Sequence, residues 1–365
     1  MMCANWHQVL NSLYITSFLK TCCKKLVMNV FLQFLLVCFT AISAHAQPNA
    51  SVQFHVEFIG QYQHPTNATQ RKVYALQETR GYLQKLGDEI GVRSLAIVDE
   101  SGFLLVDPGP DARYTQALLS ALKKIEPQLK SHPDVIVNSV ARPEHALGNS
   151  TLSSAQTQIY ATSITQTNMI ERCPNCRKRL SNSLNNSELA KTPIQTPNIA
   201  LNLGIGLPGY PEWQLFEFQA RTESDLVMWH PQLKILFAGG LISHQSIPDL
   251  IDGSILKWQT ALQTLQKLKP QVIIGTGPYL RNIKMNESKT TKNQLKLTGD
   301  YLNELESIVR KDFLAGGNEA DADKCLNLEQ FEKVKGYKKL HPLNIQRVWR
   351  EIETQEMNKS PISSN

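Results

Sequence analysis

Past residue 46 this 365-residue chain is poor in cysteine. Of its 7 cysteines, Cys3, Cys22, Cys23 and Cys38 precede that point and only Cys173, Cys176 and Cys325 follow. Three thiols exclude both a disulfide framework and a four-thiolate zinc site. An excess of charge of either sign is lacking too. Of 38 basic residues, Lys20, Lys24 and Lys25 lie before residue 47, which leaves 35 against 32 acidic residues. No basic stripe is interleaved with aromatics, so nucleic acid is excluded as a partner. No nucleophile-elbow pattern appears, and a serine or cysteine hydrolase has no support. Gly204-Ile205-Gly206-Leu207-Pro208-Gly209 matches G-x-G-x-x-G only formally. It contains a proline, and the strand-like PEWQLFEF follows where a helix is needed, so the dinucleotide reading fails.

One long apolar run is present, LVMNVFLQFLLVCFTAIS after Lys24 and Lys25, and Ala44-His45-Ala46 follows it. A charged start, an apolar middle and an A-x-A site define a secretory signal peptide, cleaved before Gln47. Met28 is a second plausible start. The run is about the ~18 residues at which a membrane anchor becomes possible, but Asn29 and Gln33 interrupt it. The expectation is an exported, periplasmic protein that meets the membrane only if this segment stays uncleaved. In an oxidising compartment the pair Cys173-Pro-Asn-Cys176 reads most simply as a structural disulfide, with redox exchange or a zinc half-site as alternatives.

The rest, with 42% hydrophobic residues overall, suffices for one large domain or two small ones. LAIV (95–98) and FLLV (103–106) around Glu100-Ser101-Gly102 read as a hairpin of buried strands. A helix follows from about Asp111 to Pro127, then the strand VIVN (135–138). A strand at 156–160 and a helix ending near Leu180 come next, then the polar stretch 181–198, read as a surface loop. The second half repeats this grammar: LFEF (215–218), DLVMW (225–229), the turn His230-Pro231-Gln232, KILFAGG (234–240), a helix from about Ser254 to Leu268, and VIIG (272–275). From Gln294 onward the pattern is helical. Two strand-rich halves with amphipathic helices fit two sheets packed face to face. His230 in a turn and His341 before a helix read as exposed.

The stretch VNSVARPEHALGNSTL (137–152) sits just past a strand end, where α/β proteins place chemistry. With SLAIVDESGFLLVDPGP before it and ARTESDLVMWHPQLKILFAGG after it, the sequence resembles the metallo-β-lactamase superfamily from about Leu95 to Glu353. IPDLIDGSILKW and HPLNIQRVWREIE resemble its exported quinoprotein relay metallohydrolases in particular. The resemblance implies a four-layer αββα sandwich with a helical C-terminal extension. Its expected divisions are a signal peptide at 1–46, an N-terminal segment at 47–94, the main domain at 95–280, the helical extension at 281–355 and a disordered tail at 356–365.

In that family, imidazoles and carboxylates converge on two zinc ions, whose shared water becomes hydroxide near neutral pH. Carried over by position, the two leading histidines fall on Val140 and Arg142, the aspartate on Glu144, and the next histidine on His145. The third-motif histidine falls on Arg221, the bridging aspartate on Gly240 and the last histidine on Thr276. Val and Gly offer no side-chain donor, and Arg has no lone pair to give. The resemblance therefore implies a degenerate metal site, no catalytic residue and no expected cofactor. Two readings of the arginines stand side by side: structural ion pairing after drift, or an anion site formed by Arg142, Arg221 and His145. The expected role is binding or accessory, toward a small anionic ligand or an exported partner protein near a quinoprotein dehydrogenase or cytochrome c system. The alternative is a residual hydrolase with one zinc on Glu144, His145 and His244.

Overall fold

The computed structural model of this chain is described from Val52 onward. The structure describes residues 52–79, 81–278 and 288–359. The segment expected to be a signal peptide, residues 1–46, and residues 360–365 lie outside the described residues.

Two sheets form the centre. The first has seven strands in sequential order: β1 (Phe54–Gln63), β2 (Gln70–Glu78), β3 (Arg93–Val98), β4 (Phe103–Val106), β5 (Val135–Val137), β6 (Gln158–Ala161) and β7 (Ile199–Ala200). β1 to β4 are antiparallel neighbours, and β4 to β7 run parallel. The second sheet is ordered β11-β10-β9-β8, from β8 (Gln214–Phe218), β9 (Asp225–His230), β10 (Ile235–Ser243) and β11 (Val272–Thr276).

Alternation along each strand explains why the apolar runs are continuous. Val73, Leu95, Ile97, Leu104 and Val106 of the first sheet meet Leu226, Met228, Ile235, Phe237 and Ile274 of the second in one cluster between the sheets. Tyr74, Leu76, Ala96, Phe103 and Leu105 point the other way, against helices α1 (Ala112–Ile125) and, past the short turns α2 (Pro143–Ala146) and α3 (Asn149–Leu152), α4 (Ser163–Leu184). Each buried aliphatic or aromatic side chain contributes about 1.5–3 kcal/mol. After the short α5 (Ser187–Lys191), the outer face of the second sheet is covered by α6 (Ile255–Lys267), α7 (Ser288–Leu314), α8 (Glu319–Cys325) and α9 (Tyr337–Lys359). The result is helix, sheet, sheet, helix, as expected from the sequence. Local signals set the helix starts. Asp111 caps α1 by accepting from Tyr114 N–H at 2.9 Å, and Ser254 caps α6.

Several local expectations change. The segment before residue 95 supplies β1 and β2 to the same sheet. Residues 181–184 continue α4, and α5 follows, because Leu184 and Leu189 are buried in the outer core. Residues 356–359 are helical, being the last turn of α9. His230 and His341 are buried rather than exposed, at 1% and 2% of their accessible surface. His230 packs tilted against Tyr62 and edge-on against Trp213, and His341 is bonded to Tyr301 Oη at 3.0 Å. Burial holds both imidazoles down to a pKa of about 4. Cys173 and Cys176 both lie on α4 as free thiols, so the expected disulfide is not formed. No helix among the described residues is long and apolar enough to cross a membrane.

Candidate functional site

The ends of β4, β5, β10 and β11 meet at one edge of the sandwich. Asp107 closes β4 with a left-handed backbone (φ 53°), a conformation that Asp tolerates better than most residues. Its fully buried carboxylate accepts from Ser139 N–H at 2.8 Å, from the Ser139 hydroxyl at 2.5 Å and from His145 Nδ1 at 2.8 Å. A carboxylate at this site accepts rather than donates, so Nδ1 carries the proton that faces Asp107. The turn that holds His145 is tight. Gly109 N–H donates to His145 O at 3.0 Å and Gly148 N–H to Gly109 O at 2.8 Å. A Cβ on Gly148 would lie 2.3 Å from Thr115 Oγ1 and 3.0 Å from two backbone oxygens, which explains the glycine.

Arg142, the residue preceding α2, reaches across to the loop after β10. Its Nη1 lies 3.4 Å from Asp249 Oδ2 and its Nη2 lies 3.0 Å from Asp252 Oδ2. Arg221 Nη2 approaches the same Asp249 oxygen at 3.8 Å. Arg221 is held by a turn in which Asp225 accepts from Thr222 N–H at 2.8 Å. Its guanidinium fills the space beside Gly240: a Cβ there would sit 2.4 Å from Arg221 Nη1 and 2.6 Å from Cδ. Nη1 is buried without a partner. Burial pushes the Asp249 carboxyl up, but the Arg221 and Arg142 guanidinium groups outweigh it and hold the group below the usual range. For Arg142, burial opposes the charge, while Glu144, Asp249 and Asp252 more than restore it. Arg221 is lowered, first by burial and then by Arg142 beside it.

Arg142, Glu144, His145, Arg221, Asp249 and Thr276 line an inner cavity of about 50 Å³. Arg142 and Glu144 also line an outer cleft of about 470 Å³, together with Asn168, Arg172, Cys176 and Asp252. Arg142, His145 and Arg221, the sequence candidates for an anion site, are thus gathered around one cavity, with Asp249 between the two guanidinium groups. Glu144 and His145 share this cavity, whereas His244 lines a different one of about 480 Å³. Burial, with Arg93 nearby, holds His244 down to a pKa of about 3. Among the described residues no group of three or more His, Cys, Asp or Glu could hold a metal ion. The sequence reading missed Asp249, Asp252 and Asn344. Asn344 accepts from Leu250 N–H at 3.0 Å and donates to Pro248 O at 2.9 Å, fixing the loop that carries both aspartates. The available signal was the spacing Asp249-x-x-Asp252 inside a stretch already singled out.

No family profile matches the sequence, and no curated protein matches it. Among solved structures, the stereoselective inverting sec-alkylsulfatase Pisa1 from Pseudomonas sp. matches with a TM-score of 0.57 at 14% identity, over 76% of this chain and 48% of that one. With the αββα layering described above, that likeness decides the fold. The chain has the metallo-β-lactamase fold. It spans about half the length of the alkylsulfatase, and at this identity the likeness extends to the fold alone. Two metallo-β-lactamases also match: FIM-1 from Pseudomonas aeruginosa in its mono-zinc form (TM-score 0.49, 15% identity, 71% of this chain and 98% of that one) and DIM-1 (0.42, 17%, 67% and 98%). In this metallo-β-lactamase fold the inner cavity lies at the edge where β4, β5, β10 and β11 end.

Proposed function

We propose that this exported protein has given up the metal centre of its fold and acts as a non-catalytic binding or accessory protein, near a quinoprotein dehydrogenase or cytochrome c system. The observation that carries this reading is the guanidinium of Arg221 packed over Gly240 and linked through Asp249 to Arg142. A zinc ion needs lone-pair donors at about 2 Å. Of the seven positions carried over from the family, Val140, Arg142, Arg221 and Gly240 have none to give, and Thr276 offers only a neutral hydroxyl, oriented by donating its proton to Gly91 O at 2.5 Å. Two guanidinium groups in the remaining space would repel a divalent cation. The residues present do not fit a dinuclear zinc site, and no chemical step is derived through one.

The placement beside quinoprotein systems is supported by the two sequence stretches that resemble that subgroup. They touch: Asn344 and Glu351 of the terminal helix bond to Leu250, Pro248, Ser254 and Ile255 of the other stretch. The test is elemental analysis of the exported protein, purified without chelators or affinity-tag metal. Less than about a tenth of an equivalent of zinc, iron or manganese is expected. Near one equivalent, lost in His145→Ala, would favour the residual mononuclear hydrolase instead.

A further inference from the structure

Arg142 and Arg221 share one carboxylate oxygen, at 3.4 and 3.8 Å. A well-made guanidinium–carboxylate contact lies nearer about 2.7–2.9 Å and uses two parallel N–H bonds. Neither arginine has that with Asp249. Arg221 is 7% exposed and lines the inner cavity, and its Nη1, buried beside Gly240, has no acceptor. The stronger contact of Arg142 is to Asp252, whose side chain is 62% exposed, a setting in which an ion pair contributes little. The two cations are neutralised but their donors are not satisfied. Arg142 and Glu144 also form the wall between the inner cavity and the outer cleft.

We propose that Asp249 is a built-in stand-in for a ligand carboxylate, and that the site binds a carboxylate-bearing ligand which displaces it. The incoming carboxylate pairs with Arg142 and Arg221, and the rest of the ligand lies in the outer cleft beside Asn168, Thr222 and Arg172. The exchange swaps one carboxylate for another, so the local charge is unchanged and no desolvated cation is left alone. The Asp249 carboxylate also accepts from Ile251 N–H at 3.1 Å, a bond that is lost when the side chain turns away; Asn344 still grips the loop by its backbone at Pro248 and Leu250, so the loop need not unfold. The proposal rests on the metal-free reading, because a metal on Glu144 and His145 would compete for the same space.

The experiment is calorimetric titration of the exported protein with acetate, and with an end-blocked tripeptide carrying one central glutamate, at constant ionic strength. Asp249→Asn removes the internal competitor, and affinity should rise about tenfold or more over wild type. Adding Arg221→Gln should abolish the gain. A gain with both probes points to a free carboxylic acid, and a gain with the peptide alone points to an acidic side chain of a partner protein. No gain with either, or a gain that persists without Arg221, overturns the proposal. If Asp249→Asn does not fold, Arg142→Gln is titrated beside wild type with both probes: weaker binding is expected, and unchanged binding overturns the proposal. Metal is measured on the same sample: its presence defeats the metal-free reading, whereas a metal-free sample without the gain defeats this proposal alone.

Discussion

Gly240→Ala tests the packing on which the functional reading depends. In the interior of a strand, Gly costs about 0.5–1 kcal/mol relative to Ala, so with open space the substitution would stabilise β10. Here the new Cβ would lie 2.4 Å from Arg221 Nη1, 2.6 Å from Cδ and 3.0 Å from Cζ. Arg221 must move, and forced repacking of this kind costs about 1–3 kcal/mol. Movement also lengthens the contact to Asp249. A broken buried pair costs about 3–5 kcal/mol, but Asp249 keeps Arg142, so only part of that is lost. The expected destabilisation is about 2–4 kcal/mol, read as a shift in urea midpoint at constant m-value. In an Arg221→Ala background the same change should be neutral or mildly stabilising, giving a coupling of at least about 2 kcal/mol in the double-mutant cycle. A coupling under about 0.5 kcal/mol would show that Arg221 does not occupy the space beside Gly240.

Three buried histidines make the fold acid-sensitive. His230, His244 and His341 are held down to about 4, 3 and 4, first by burial. The unfolded chain takes up protons near pH 6.5 while the folded one does not, so their stability contribution is complete above that pH. It is lost as pH falls from about 6.5 toward about 4, by about 1–2 kcal/mol per group at pH 5, and a urea midpoint unchanged between pH 7 and 5 would contradict this. Asn344→Ala strands the Leu250 N–H and the Pro248 carbonyl. It should cost about 2–4 kcal/mol and speed hydrogen exchange at Leu250, and wild-type exchange there would refute the loop's tether. Thiol titration should find exposed Cys325 and half-buried Cys176 reactive in the native protein. Cys173, pushed up to about 12 by burial, should react only on denaturation, and in protein spanning residues 47–365 a denatured count below three would mean a bond had formed.

The layering was legible because burial on both faces of a strand leaves an unmistakable run, as in Phe103–Val106, and because Asp111 and Ser254 announce the helices behind them. β1 was not legible: its pattern FHVEFIGQYQ mixes half-buried and exposed positions at a sheet edge, so polar residues break the apolar signal. The buried histidines escaped because an imidazole beside a turn looks the same whether or not Tyr62 and Trp213 pack against it. At the site, residue identities settled what could not donate to a metal. They could not reveal that Asp249, 28 positions after Arg221, would lie between the two arginines, because that contact depends on the loop pinned by Asn344 from almost a hundred residues away.

Asp107 has a consequence for how such a site can change over time. Its carboxylate grips Ser139 and His145, and Asp107 itself does not line the inner cavity. The strand ends that would face a metal are therefore clamped by the protein itself. A chain built this way can exchange the other residues around the cavity one at a time, each intermediate still folding. Removing Asp107 would take away that tolerance, since the loop of His145 would then depend on whatever happened to fill the cavity.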